Sequence, residues 1–266
     1  MSALRKHLSV YWDYFKQYWR TRLVYRWDFF LGATGQTVNV FAKLAFLTLI
    51  FTQVNSLQGW SFDEMLFLAG FSGLILFTHN VFMFNIYRLG EDYILTGDLD
   101  RFLVRPLNPL FQIYSDDVHD NNVPKVIANA ALVVYASAQL GLVLSPVQLA
   151  YAALSFVSGI LVVASVYLAF SSTAFWTGTS KNAIWLIFRL SDFRRYPIGV
   201  FAVFVQALLV TAVPLAFASF FPASFLLGRS AYAEWQLVSP LAGPVLFSLS
   251  YIFWRKGLSG YSSTGS

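Results

Sequence analysis

The chain has 266 residues, of which 57% are hydrophobic, 18% aromatic and only 12% charged. A soluble domain carries roughly 25% charged residues, so this composition, with 27 Phe and 8 Trp, excludes an ordinary water-solvated fold. The absence of cysteine excludes disulfide frameworks and thiolate metal sites, and a formal charge of +5 raises nucleic acid only until the positions of the cations are read.

Leu4, Leu8, Tyr11, Trp12, Phe15, Trp19 and Leu23 recur at helical spacing, with Arg5, Lys6, Asp13, Lys16 and Arg20 mostly on other faces. This predicts an amphipathic helix over residues 1–25 lying in the membrane interface, either as a plain anchor or as a lever joined to the first span. No short apolar region with a small-residue cleavage site follows it, which argues against a signal peptide. Residues 26–257 then carry six continuous apolar runs, at about 27–51, 65–87, 126–144, 147–170, 198–220 and 236–254. Each approaches the ~20 residues needed to cross a bilayer as a helix. A membrane barrel would instead alternate polar and apolar residues in short segments. The expected fold class is therefore an all-α membrane protein with six transmembrane helices.

The basic residues sort by alternate loops. Arg5, Lys6, Lys16, Arg20, Arg22 and Arg26 precede the first span; Arg88, Arg101, Arg105 and Lys125 lie between the second and third; Lys181, Arg189, Arg194 and Arg195 between the fourth and fifth; Arg255 and Lys256 follow the sixth. Only Arg229, in a loop, and Lys43, within a span, fall elsewhere. The positive-inside rule makes the rich side cytoplasmic, with both termini there and residues 258–266 as a cytoplasmic tail. A nucleic-acid-binding domain would not distribute its charge this way, so no nucleic-acid partner is expected. The segment 220–235, interrupted by Pro222, Gly228, Arg229 and Glu234, is too polar to span and reads as a short re-entrant or surface structure on the outer side.

Polar groups inside spans are costly and must face protein or water. In the first span Asp28, Gly32, Gln36, Asn39 and Lys43 step by three or four residues and so share one face. The stripe suits interhelical hydrogen bonds, or the wall of a translocation path, with Lys43 also able to snorkel outward. His79, Asn80 and Asn85 end the second span as packing residues. Ser155, Ser158, Gly159 and Ser165 give the fourth a small-residue face for close helix contact. In the fifth, Gln206 and Thr211 precede Pro214, which removes a backbone donor and predicts a kink.

The sequence holds no G-x-x-x-x-G-K-[ST] phosphate loop, no H-E-x-x-H and no G-x-S-x-G, so neither an ATPase nor a hydrolase is expected of the chain itself. Asp116-Asp117-Val118-His119-Asp120 matches D-D-x-x-D, a spacing suited to Mg²⁺ on a diphosphate. That pattern gives the alternative function, a membrane-bound Mg²⁺-dependent prenyl or diphosphate transferase. Against it stands a solvated loop whose Asp or Asn caps the helix beginning near Pro124.

The loop after the second span, residues 88–125, contains Gly97-Asp98-Leu99-Asp100-Arg101-Phe102-Leu103-Val104-Arg105-Pro106-Leu107-Asn108-Pro109-Leu110. This run resembles the ABC-2 type permeases of ATP-binding-cassette exporters. Asp192-Phe193-Arg194-Arg195-Tyr196-Pro197 and Pro214-Leu215-Ala216-Phe217 support the same resemblance, which covers nearly the whole chain. It implies a bacterial inner-membrane permease subunit moving a lipid-like or amphipathic substrate. It implies pairing with a second permease, alike or different, and with cytoplasmic ATPase subunits that hold Mg²⁺-ATP, so that this chain binds no cofactor. Gly97, Asp98, Leu99, Asp100, Arg101, Phe102, Leu103, Arg105 and Pro106 would form the ATPase-coupling helix, with Leu99, Phe102 and Leu103 as its inserting apolar face. Gln36, Asn39, Lys43 and Gln206 would line the translocation path, and 220–235 would cap it.

Overall fold

The computed structural model describes Thr34, Gly35, Ala42 and residues 44–262. The expected helix over 1–25, the residues Gln36, Asn39 and Lys43, and most of the first span therefore lie outside the described residues; of that span, residues 44–51 are helical. The rest of the fold runs through α1 (Phe62–Met83), α2 (Asp100–Leu103), α3 (Pro109–Ser115), α4 (Val123–Gln139), α5 (Pro146–Ser172), α6 (Ala174–Thr177), α7 (Lys181–Ser191), α8 (Val203–Val210), α9 (Phe220–Leu226) and α10 (Ala233–Ser259). Among the described residues there is no β-strand, only an isolated bridge between Leu57 and Trp60.

Among the described residues, three helical stretches are long and apolar enough to cross a membrane: Phe62–Ile94, Pro146–Thr177 and Ala233–Ser259. A fourth crossing results if α8 and the segment Leu215–Leu226, bent by 72° at their junction, form one broken span. The described residues thus supply three to four such spans rather than six. The helix α4 matches the expected third run but has 17 residues, about 25 Å at 1.5 Å per residue, short of a ~30 Å hydrocarbon core.

The helix starts follow from local chemistry. Ser61 opens α1 with a reciprocal capping box: its Oγ accepts from the Glu64 amide at 3.3 Å while the Ser61 amide donates to Glu64 Oε2 at 2.8 Å. Ser145 and Gln148 repeat the device at α5, with Pro146 in the first turn. Both lie at the short interspan turns expected from the sequence. Ahead of α1, Gln58 and Gly59 take positive φ angles of 51° and 75°, and Leu57 and Trp60 exchange backbone hydrogen bonds of 3.0 Å across them, the geometry of a two-residue reversal.

Close helix packing rests on small residues. Along the α5–α10 seam, Ser158 Oγ donates to the Ser239 carbonyl at 2.7 Å and accepts from the Gly243 amide at 2.9 Å. A Cβ on Gly243 would sit 2.2 Å from the Ser158 carbonyl oxygen. Tyr151 Oη adds a bond to the Gln236 carbonyl at 2.6 Å. The expected small face of α5 is thus used for helix contact, and Ser155, Ser158 and Ser165 are all buried. On α1, Gly70 and Gly73 leave room for Asn129 and Val133 of α4.

The expected fifth span, 198–220, is not a straight helix. Regular structure stops at Val210 and resumes as a single turn over Leu215–Phe217. Pro214, with no amide hydrogen to continue the ladder, sits at the break. In the segment after it, Phe220, Phe221, Pro222 and Leu226 are buried in the core, whereas residues 230–235 are exposed. Gly159 admits this chain closely, since a Cβ there would meet the Ala218 carbonyl oxygen at 2.6 Å.

Opposite ends of the bundle are tied separately. At one, Arg229 grips Glu64 with Nε to Oε1 at 3.1 Å and Nη2 to Oε2 at 2.7 Å, donates to the Gly59 carbonyl and lies 4.2 Å from the Trp60 ring centroid. At the other, the end of the α1 span meets the loops 95–122 and 178–197.

Candidate functional site

The loop 95–115 forms a compact knuckle. Gly97 turns the chain at φ 78°, where a side chain would be strained. The Leu99 amide returns to the Tyr93 carbonyl at 2.8 Å, and the Asp100 amide to that of Gly97 at 3.0 Å. One helical turn, α2, follows. Asn108 then accepts from the amides of Leu110 and Phe111 at 2.9 and 3.2 Å, and with Pro109 in the first turn it starts α3. Pro106 thus lies between the two short helices, and Pro109 opens the second.

The apolar face of the knuckle differs from the sequence expectation. Leu99 and Phe102 are buried at 0% and 1% exposure, with Phe102 against Tyr93 at 5.6 Å between centroids. They anchor the knuckle and do not present a surface for insertion. The outward apolar groups are Leu103, 40% exposed, and Val104, 83% exposed, with Leu95 nearby in sequence also exposed. The reason is registry: positions 99 and 102, three residues apart, share the inner side of this single helical turn, and Leu103 and Val104 follow on the outer side. Arg101 ties the turn back through Asp116, Nη2 to Oδ2 at 2.9 Å, and lies 4.6 Å from the Phe102 centroid, with Asp98 at 4.0 Å.

One bond closes the knuckle on itself and another ties it to the bundle. Gln112 donates to the carbonyls of Phe102 and Leu107 at 2.9 and 3.1 Å, and Asn108 donates to Tyr251 Oη on α10 at 2.8 Å. More important is Glu91, which composition and motif did not single out. Its Oε1 accepts from Thr179 Oγ1 at 2.7 Å and from the amides of Ser180 and Lys181 at 3.2 and 2.9 Å. A carboxylate from the last turns of the Phe62–Ile94 stretch thus caps the N-terminus of α7, neutralising orphan amides where the helix dipole is positive. Gly90 beside it lets Ser180 approach; a Cβ would lie 2.7 Å from Ser180 Oγ.

The acidic stretch does not converge. Asp116 is held by Arg101 and by Tyr93 Oη at 3.0 Å. Asp117 accepts from the Val118 amide and is exposed, whereas Asp120 is buried. No three His, Asp or Glu side chains among the described residues come together to hold a metal, and Asp98 and Asp100 do not complete such a group. Nor does an Asp or Asn side chain cap α4, which begins at Val123 without a side-chain cap. The stretch instead packs back on α1. The His119 amide donates to the Val81 carbonyl at 3.1 Å, and Asn85 Nδ2 to that of Asp117 at 3.0 Å. That leaves Asn85 Oδ1 to accept from His119 Nε2–H at 2.9 Å, and burial holds the His119 imidazole below its usual pKa.

Of the expected path residues, Gln206 is half-buried and donates to the Phe201 carbonyl at 2.8 Å. Within the bundle His79 is fully buried, with Nδ1 3.1 Å from Asn80 Oδ1 and 3.2 Å from Tyr87 Oη, in keeping with a packing residue.

A further feature invisible in the sequence is Arg194, 4% exposed. Its guanidinium donates to the Ser191 carbonyl and reaches that of Ser72 at 3.5 Å, while its own carbonyl accepts from Ser219 at 3.0 Å. No carboxylate among the described residues pairs with it. Burial, with Arg195 alongside, pulls its pKa down to about 10, so the cation persists at neutral pH.

Comparison with protein-family models matches residues 37–265 to the ABC-2 family transporter protein model. The chain belongs to the ABC-2 transporter family. Family membership and the long apolar helices make it an integral membrane permease of the ATP-binding-cassette type, in a family that generally works with separate ATPase partners. A search of curated proteins found no match. The match takes in the knuckle, its Glu91 brace and Arg194, so all three belong to the ABC-2 domain.

Proposed function

We propose that this ABC-2 chain is the permease subunit of an ATP-driven exporter in the bacterial inner membrane. It has six spans within 26–257, an interfacial helix over 1–25 and both termini in the cytoplasm, and it moves a lipid-like or amphipathic substrate. The ATPase docks on the knuckle 97–106 and holds Mg²⁺-ATP itself. A second permease subunit, identical or different, completes the path, whose wall in this chain includes Gln36, Asn39, Lys43 and Gln206. The 220–235 segment closes it on the outer side. Support for this topology comes from the alternate distribution of Lys and Arg and from the separation of the Glu64–Arg229 tie and the Glu91–α7 tie at opposite ends of α1.

The observation that carries the docking proposal is the exposed Leu103–Val104 tip. It is apolar, ringed by Asp98, Arg101 and Arg105, and rests on buried Leu99 and Phe102. A small apolar knob with a charged rim is the form of a docking contact. A rigid mount, braced by Glu91 and Asn108, lets movement of a docked ATPase reach α7 and α10 without being absorbed locally. The test is purification of the tagged chain from its native membrane with whatever ATPase accompanies it. Val104→Glu should reduce the co-purified ATPase by about tenfold or more, the loss expected for a central contact worth over 1.4 kcal/mol, while Val104→Leu retains it. An ATPase that never co-purifies, or one indifferent to Val104→Glu, would overturn the docking proposal.

A further inference from the structure

Ala42, Leu44, Phe46 and Leu47, together with α1, α4 and residues 194–196, line a cavity of about 270 Å³. At about 30 Å³ per water it has space for a headgroup and a few carbons. Its described lining divides chemically. Lys125, Arg194 and Arg195 supply three cations, and no carboxylate is among them. Leu47, Met65 and Leu132 supply apolar wall. Asp192 pairs with Arg195, and Lys125 lies over the Phe77 ring at 4.9 Å; among the described residues Arg194 has no such carboxylate. Ser72, fully buried, also lines the cavity, and its hydroxyl has no hydrogen-bond partner. Among the described residues no carboxylate pairs with buried Arg194; a buried cation without a counter-ion is costly, and an anionic oxygen beside its guanidinium would relieve that cost. Phe46 lines the same cavity yet is 57% exposed, so the apolar wall continues to the outer surface of the bundle.

We propose that this cavity binds one amphiphilic anion, with a phosphate or carboxylate headgroup on Arg194 and Arg195 and an apolar chain leaving past Phe46. This goes beyond the transport proposal, because binding is asserted whether the molecule is cargo or a resident lipid. Free phosphate would satisfy the cations but not the apolar wall, so the tail is part of the claim.

The test uses the full chain, with any co-purifying ATPase, in phosphatidylcholine nanodiscs doped with a photoreactive phosphatidic acid, a photoreactive fatty acid or a photoreactive diacylglycerol. The anionic probes should label peptides from residues 44–69 or 125–132, and the uncharged diacylglycerol should not. Arg194→Gln should cut labelling about tenfold or more, the loss of a charge-assisted contact. Because Arg194 also supports the fold, Ala69→Phe, which fills the cavity from its apolar wall without touching a charge, should cut labelling equally while leaving the melting temperature near that of the parent. Labelling by diacylglycerol at the same peptides, labelling unaffected by Ala69→Phe, or displacement by inorganic phosphate at equal concentration would each overturn the proposal. The labelling needs neither ATP nor transport, so its failure leaves the permease proposal standing.

Discussion

Single residues decide how closely this bundle packs. The Ser158–Gly243 contact brings two backbones within hydrogen-bonding range of one hydroxyl, and only a residue without Cβ fits there. Gly243→Ala must push α5 and α10 apart, because the nearest atom is a backbone oxygen and not the end of a flexible side chain. Overpacking of this kind costs roughly 1–3 kcal/mol or more, and a loss of folded yield in detergent should report it. Gly199→Ala, where nothing lies within 4 Å, is the neutral control. The small face of α5 was legible from Ser155, Ser158, Gly159 and Ser165. Its partner on α10 was not, since Gly243 sits between Pro240 and Pro244 in a stretch that sequence alone reads as helix-weakening. Arg194 was equally hidden: in the sequence it is one of several loop cations, and only the path of Ser72 and Ser219 past it shows that it is buried.

At the scale of elements, the cytoplasmic face proposed here depends on the end of one helical stretch capping the start of another. Glu91 satisfies two amides and a hydroxyl at the start of α7. Glu91→Ala should cost about 1–2 kcal/mol, the range of a lost helix cap, and speed proteolysis around 177–181. Glu91→Gln keeps one carbonyl acceptor and should recover part of the loss. Sequence patterning located the helices well where a cap and an apolar run coincide, as at Ser61 and Ser145. It failed where tertiary contact overrides periodicity. The expected straight span at 198–220 is broken because Pro214 lacks a donor and the chain beyond it turns into the core. The expected inserting face reversed at Leu99 and Phe102 because a left-handed Gly97 reorients the turn, which spacing within the run does not encode. The segment 220–235 stands out in the sequence by its polar interruptions, but the burial of Phe220 and Phe221 in its first half is set by packing that those interruptions do not encode.

For the whole molecule, the sequence identified a polytopic permease through composition, charge sorting and the Gly97–Leu110 run, and the family match over residues 37–265 agrees. Six crossings remain the proposal, against three to four helices of sufficient length among the described residues. The central claim is that the knuckle faces the cytoplasm and is covered there by an ATPase. Because the chain contains no cysteine, it can be tested without background. Val104→Cys is made in the full chain and probed with a membrane-impermeant maleimide in intact cells, in inverted vesicles, and in inverted vesicles stripped of peripheral proteins, with Ser230→Cys as the outer-face reference. The account predicts that Ser230→Cys labels only in intact cells, and that Val104→Cys labels only in inverted vesicles and strongly only after stripping. Labelling of Val104→Cys from the outside, or equal labelling with the peripheral proteins in place, would contradict it.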